Sequence, residues 1–161
     1  MSGTLSDDSQ EFLTFTLGDE HYGLEIMMVK EIRGYESVTK IANAPPFVKG
    51  VLNLRGDIVP IIDLRLKFNV GNAVYNEFTI VIMLSVGARI VGIVVDAVSD
   101  VVRLKKDDVK PPPEFGASFD HQFLYGLSQV GDVMVILLNI ESLISSKELG
   151  LFESADEPID N

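Results

Sequence analysis

The stretch Phe47-Val-Lys-Gly-Val-Leu-Asn-Leu-Arg-Gly-Asp-Ile-Val-Pro-Ile-Ile-Asp-Leu64 decides the fold. It holds two apolar runs separated by a tight polar turn, Asn53-Leu-Arg-Gly56. The second run, Ile58 to Leu64, is β-branched and nearly continuous, which suits a strand buried on both faces. Pro60 has no N–H to give to a ladder, so this strand is expected at a sheet edge or with a bulge at that residue. Gly56 can take positive φ, and Arg55 is then held out on a short, stiff loop.

The chain repeats this grammar in Phe123-Leu-Tyr-Gly-Leu-Ser-Gln-Val-Gly-Asp-Val-Met-Val-Ile-Leu-Leu-Asn-Ile140. Phe47 and Gly50 match Phe123 and Gly126, and Gly56-Asp57-Ile58 match Gly131-Asp132-Val133. On that match the second copy is one residue shorter, and the unmatched residue falls at or beside Arg55. A second pair of segments repeats without a gap. Gly18 and Gly87, Gly23 and Gly92, Ile26 and Val95, Val29 and Val98, Glu31 and Asp100, and Ile32 and Val101 each stand 69 residues apart. Two similar β-units in tandem follow.

At 161 residues and 47% hydrophobic content, the chain can bury a full core or two mini-barrels sharing an interface. No run reaches the ~18 apolar residues of a membrane helix, and MSGTLSDDSQ has no signal-peptide pattern. The sequence has no cysteine, so it has no disulfide frame and no thiolate chemistry. A net charge of −11 argues against nucleic acid and against direct insertion or docking at anionic lipid. A soluble cytoplasmic protein is the expectation.

Residues 1–10 read as a disordered tail and 154–161 as an acidic one. Leu13, Phe15 and Leu17 alternate with threonines. After the turn Gly18-Asp-Glu-His21, the residues Tyr22, Leu24 and Ile26 alternate on the return, a first hairpin. Met27 to Arg33 reads as a strand end or a short helical turn. Phe68 to Glu77 is a connection, and Phe78–Val86 with Ile90–Val95 forms a second hairpin about Gly87-Ala-Arg89. Three prolines at 111–113 mark a linker, Leu124 to Ile140 is another hairpin, and residues 141–152 have helical spacing. The architecture is all-β, two small barrels with a C-terminal helix, divided near 11–75 and 76–140 and with end strands open to exchange.

Catalytic apparatus is not visible. His21 and His121 lack metal-ligand spacing, and Asp120-His121 has no nucleophile on an elbow to serve. Gly87-Ala-Arg-Ile-Val-Gly92 lacks the Lys-Ser/Thr of a phosphate loop. Asp57, Asp63, Asp96 and Asp100 are scattered over turns and strand ends without calcium-loop spacing. No cofactor is expected. What remains is surface. Val29, Ile32, Val98 and Val101 either belong to the barrel cores or line an apolar groove that takes a partner helix. Arg55 suits a rim contact to a carboxylate, or an internal pair with Asp57 or Asp63.

Seven spaced motifs carry a family resemblance. They are Gly18-Asp-Glu-x-Tyr-Gly23, Val29-Lys-Glu-Ile-Arg-Gly34, Ile41-Ala-Asn-x-Pro45, Phe47-Val-Lys-Gly50, Asn53-Leu-Arg-Gly56, Val59-Pro-Ile-Ile-Asp-Leu-Arg65 and Gly92-Ile-Val-Val-Asp96-x-Val-Ser-Asp100. Together they resemble the CheW family of bacterial chemotaxis coupling proteins, over about residues 10–153. The resemblance implies two SH3-like five-stranded barrels and a non-catalytic adaptor. It implies coupling of chemoreceptor cytoplasmic helical tips to the regulatory domain of the histidine kinase CheA, with further copies of the coupler as possible ring partners. It places receptor contacts at Val29, Glu31, Arg55, Gly56, Val98 and Val101, and kinase contacts near Ile32 and Gly34. It also implies a cytoplasmic protein recruited to the inner face of the membrane through receptor arrays. The chain length favours a stand-alone coupler over relatives that append a kinase or a receiver domain. Asp57 departs from the pattern, because many relatives carry an apolar residue after Arg-Gly. A small-ligand or enzymatic barrel and a plain dimerisation module are the competing readings.

Overall fold

In the computed structural model, which describes residues 9–112 and 123–144, the apolar alternation becomes ten strands. These are β1 (Gln10–Leu17), β2 (Glu20–Glu25), β3 (Val29–Gly34), β4 (Val48–Leu54), β5 (Asp57–Asp63), β6 (Ile80–Val86), β7 (Arg89–Val95), β8 (Ala97–Leu104), β9 (Leu124–Val130) and β10 (Val133–Leu138). Helix α1 (Leu64–Phe68) follows β5, and α2 (Ile140–Ile144) follows β10. The strands form two five-stranded barrel sheets. The first runs β8-β1-β2-β10-β9 and the second β3-β6-β7-β5-β4. Each sheet therefore draws strands from both halves of the sequence. Strands β3 and β8 each leave the hairpin they follow and join the edge of the other sheet.

The register shows how faithful the duplication is. Leu13 of β1 faces Val101 of β8, and Ile82 of β6 faces Ile32 of β3. Both ladders skip one residue at the equivalent place, Ser99 in the first and Lys30 in the second. In the β4–β5 and β9–β10 hairpins, Gly50 faces Ile61 and Gly126 faces Leu137, and both hairpins close in two-residue turns, Arg55-Gly56 and Gly131-Asp132. The two hairpins are thus of equal length, and Arg55 is the counterpart of Gly131. This corrects the one-residue gap inferred from matching Gly56 with Gly131. The misalignment arises because a turn glycine stands second in one hairpin and first in the other.

Helix α1 was expected as the end of a strand and the start of a connection. It forms because the Asp63 side chain accepts from the Arg65 backbone N–H at 2.9 Å, an N-cap, and Asn69 ends it in the left-handed conformation. Its position relative to β5 is that of α2 relative to β10. Of the expected helix at 141–152, only the part up to Ile144 lies within the described residues. The tails 1–8 and 154–161 and His121 lie outside them.

Period-2 alternation distributes the apolar residues over three cores. Val59, Ile61, Val81, Met83 and Val94 fill the second barrel. Phe12, Leu104, Val135 and Leu137 fill the first. The alternate residues of the same strands, among them Leu13, Phe15, Leu17, Ile62, Ile82, Leu84 and Ile93, meet in a larger core that also takes up Leu143 and Ile144 of α2. This sharing explains why these strands read as nearly continuous apolar runs. Strand β5 is buried on both faces from Val59 to Asp63, although Ile58 is exposed. It is not an edge strand, because β4 lies outside it. Pro60 is accommodated because pairing with β7 begins only at Ile61, and the skipped residue, Lys49, lies in β4.

The segment after each exchanged strand crosses to the opposite edge of its barrel. Thr39 and Val51 exchange backbone hydrogen bonds of 2.9 and 2.8 Å, and Lys110 and Leu127 exchange two of 2.8 Å. A Cβ on Gly50 would lie 2.1 Å from the Thr39 carbonyl oxygen, and one on Gly126 would lie 2.8 Å from that of Lys110. The crossing segments therefore explain the matched glycines of the two Phe-x-x-Gly stretches.

Candidate interaction surface

Arg55 occupies the first position of the β4–β5 turn with φ of 54°, followed by Gly56 at 94°. Among the described residues, the other non-glycine residues with positive φ are asparagines, for which that conformation is ordinary. An arginine there is uncommon, and backbone strain of this kind is maintained at positions where presentation of a side chain matters. Asn53 pins the turn by accepting from the Gly56 N–H at 3.0 Å. The Arg55 side chain is 71% exposed.

Its partner is neither Asp57 nor Asp63. Arg55 Nη2 donates to Glu31 Oε1 at 3.1 Å, across the barrel from β3. The other Glu31 oxygen, Oε2, accepts from Arg33 Nη1 at 3.1 Å, and Arg33 Nη2 reaches Glu36 at 2.5 Å. The hydrogen bond to Glu36 holds the Arg33 guanidinium pKa above its ordinary value, against the opposing effect of burial and with the help of the Glu36 and Glu31 charges. A concavity of about 170 Å³ lies beside the Arg55–Glu31 pair, lined by Lys30, Leu54, Met83 and Ile90 among others.

The remaining candidates divide by barrel. Val29 and Val98 are half-buried against the shared core. Ile32 and Val101, their neighbours on the edge strands β3 and β8, are exposed. Gly34 ends β3 opposite Ile80, and a Cβ there would meet open space. The structure thus joins Glu31, Arg55 and Gly56 in one patch of the second barrel with Val29 on the same strand as Glu31. Val98 and Val101 belong to the exchanged strand of the first barrel.

The acidic residues read as scattered include a buried cluster that the sequence did not reveal. Asp63 and Arg65 are both buried. Arg65 donates to both Asp63 oxygens at 3.1 and 3.0 Å, to Asp96 Oδ1 at 2.7 Å and to the Val74 carbonyl at 3.1 Å. The Tyr75 hydroxyl also donates to Asp63. Asp96 carries the cluster to the first barrel: its Oδ2 accepts from the Gly18 N–H at 2.6 Å, and its own N–H donates to the Thr16 carbonyl at 3.0 Å. Burial works against the Arg65 charge, but hydrogen bonds and charges from Asp63 and Asp96 outweigh it and raise the guanidinium pKa. Burial, then the hydrogen bond to Asp63 and that carboxylate's charge, raise the Tyr75 phenol well above its usual value. The cluster is a latch between barrels, joining the end of β5 and α1 to Asp96 and, through it, to Gly18 and Thr16 of the first barrel. The spacing Asp63-x-Arg65 with Asp96 was its only sequence signal.

Among the described residues, no helix is long and apolar enough to cross a membrane, and no group of His, Cys, Asp or Glu could hold a metal ion.

Residues 11–148 match the model of the CheW-like domain. The chain is 54% identical over 145 residues to the chemotaxis protein CheW of Klebsiella aerogenes, covering 90% of this chain and 87% of that protein. It is 33% identical over 144 residues to that of Rhizobium meliloti, covering 89% and 93%. The crystal structure of the scaffolding protein TtCheW from Thermoanaerobacter tengcongensis superposes with a TM-score of 0.78 at 32% identity, covering 86% of this chain and 94% of that one. The fold, its duplicated strands and these relatives agree, and the chain belongs to the CheW family of non-catalytic chemotaxis scaffold proteins.

Proposed function

We propose that this chain couples the cytoplasmic helical tips of chemoreceptors to the histidine kinase CheA, so that kinase activity and array assembly come under receptor control. The observation that carries this reading is the presentation of Arg55. An exposed guanidinium stands on a strained turn of a barrel that a buried latch holds against its neighbour. A helical tip would set carboxylates against Arg55 and apolar side chains against Val29, Val98 and Val101, with Glu31 and Gly56 in the same patch. The kinase regulatory domain, or another copy of the coupler in a ring, would take the edge near Ile32 and Gly34. Small contacts of this kind tend to be individually weak, and several in one lattice raise the effective concentration enough to assemble an array. The chain would act in the cytoplasm, recruited to the inner face of the membrane through the receptors it binds.

Co-sedimentation of CheA with receptor-bearing membranes, with and without this chain, tests the reading. The expected result is that the kinase pellets with the membranes only when the chain is present, and that Arg55→Glu abolishes the effect. Kinase that pellets equally in its absence overturns coupling as the role.

A further inference from the structure

The two barrels differ at the end marked by Gln10 in the first and Thr79 in the second. Gln10 pairs with Leu104, just as the Tyr35 N–H donates to the Thr79 carbonyl at 2.9 Å. In the second barrel the segment leading into β6 supplies Tyr75 to this end. The Tyr75 ring lies 4.7 Å from that of Tyr35, and the Lys49 ammonium stands 4.8 Å from its centroid. Both tyrosines pack with Val38 against the barrel core. The counterparts of Tyr35 and Lys49 in the first barrel are Leu104 and Tyr125. With Val109 they form the apolar floor of a concavity of about 520 Å³, and its rim carries Lys105, Lys106 and Lys110. All three lysines are exposed, and none makes an ion pair among the described residues. Asp108 stands in the same turn, but its carboxylate accepts from the Lys105 backbone N–H at 2.8 Å. In a chain of net charge −11, three cations around an apolar floor are out of keeping with the rest of the surface.

The residues preceding Gln10 have the matching chemistry. By the 69-residue offset of the repeat, the counterpart of Val74–Phe78 is Leu5-Ser-Asp-Asp-Ser9. Leu5 is the one large apolar residue between Met1 and Phe12, and Asp7 and Asp8 are the acids next to it. Asp8 lies within about 7 Å of Gln10 along the chain and Leu5 within about 18 Å, so both reach the concavity that Gln10 borders.

We propose that residues 5–8 of this chain dock in that concavity, with Leu5 on Leu104, Val109 and Tyr125, and with Asp7 and Asp8 against the three lysines. The segment closes the first barrel as Tyr75 closes the second, by charge where the second uses aromatic packing. Exposed ion pairs are individually weak, but the short tether to Gln10 gives the segment a high effective concentration. An acidic segment of another protein reaches these lysines only by displacing it.

The chain has no tryptophan, so Leu5→Trp in the full chain places a single fluorophore in the segment. At low ionic strength its quenching by acrylamide is expected to be about two- to threefold weaker than in the same chain with Lys105→Glu, Lys106→Glu and Lys110→Glu, the scale of two exposed ion pairs. High salt should bring the two together, and adding Asp7→Lys and Asp8→Lys to the glutamate variant should restore the protection. In the otherwise unaltered chain, deleting residues 2–8 should shift the amide resonances of Lys106 and Val109 and leave those of Ser37 and Val38 in place. These shifts decide the matter where the cavity refuses the larger indole: movement confined to residues 9–12 overturns the docking, whatever the fluorescence. Protection that survives the three glutamate substitutions overturns it by placing the segment elsewhere, and protection that grows with protein concentration overturns it in favour of a second copy's segment.

Discussion

The two barrels keep one apolar plan and differ in almost every polar residue laid over it. Where the second barrel carries Glu31 and Arg55, the first carries Asp100 and Gly131. Where β5 ends in buried Asp63 followed by Arg65, β10 is followed by Asn139 and the exposed Glu141; Asn139 caps α2, accepting from the Ser142 N–H at 3.2 Å. Where Asp96 bridges the barrels, its counterpart Met27 is 88% exposed. The cores require only that apolar residues recur at alternate positions, which two copies of one unit satisfy equally. A latch between barrels needs a single set of charges, and a partner surface needs a single patch. The polar residues are therefore where one copy was free to specialise.

The largest effect expected from this asymmetry is at the latch. Arg65→Ala leaves the Asp63 carboxylate buried without its cation, and breaking a buried pair in this way costs about 3–5 kcal/mol. Glu141→Ala, at the equivalent place after β10, should shift stability by no more than about 0.5 kcal/mol. Urea midpoints of the two variants check the contrast, and equal losses would mean that the cluster is not what binds the barrels.

The next contrast is between Gly18 and Gly87, which open equivalent hairpin turns with φ of 61° and 59°. An alanine at either strains the backbone by about 1 kcal/mol. At Gly87 the new Cβ meets open space, whereas at Gly18 it would lie 2.9 Å from the Gly71 Cα. Two backbones cannot give way as a side-chain tip can. Gly18→Ala should therefore cost about 1–3 kcal/mol more than Gly87→Ala, the scale of an overpacked contact.

A third contrast separates presentation from stability. Arg55→Glu should change stability, read from urea unfolding, by less than about 0.5 kcal/mol, since the side chain is exposed and its ion pair is a surface one. The same change should abolish kinase recruitment. Gly131→Arg, which places a guanidinium on the equivalent turn of the first barrel, should leave recruitment intact. Loss of recruitment in both variants would show that the assay senses net charge rather than one patch.

Much of this fold can be read from alternation alone. The hairpins, the duplication and the terminal helix's first turn all depend on local spacing, which a linear text preserves. Arg55 could be singled out because it stands in a tight turn between two apolar runs. Its partner could not, because Glu31 is brought opposite only when β3 and the β4–β5 hairpin enter the same barrel. Proximity in sequence pointed instead to Asp57 and Asp63. The latch is hidden from the sequence for the same reason: Gly18, the Asp63–Arg65 pair, Tyr75 and Asp96 converge from four separate places along the chain. Helix α1 is five residues long, too short for a helical period, and only its equivalence to α2 would have exposed it.

A smaller effect than the loss of Arg65 is expected elsewhere in the latch, at the Tyr75 hydroxyl. Tyr75→Phe removes its hydrogen bond to Asp63, but Arg65 continues to hold that carboxylate, so the loss at neutral pH should be about 1 kcal/mol. The pH dependence is more telling than the loss. The folded protein raises the phenol's pKa, so its neutral form contributes stability that is fully present below the unfolded value of about 10. Above that pH the unfolded chain ionises while folded Tyr75 does not, and the contribution is lost as the pH rises toward the folded value. Urea midpoints of the unaltered chain and Tyr75→Phe should therefore differ steadily from pH 7 to 9 and converge above about 10. A gap that stays constant through pH 11 would show that the phenol's neutral form is not favoured by folding, and that Asp63 is held by Arg65 alone.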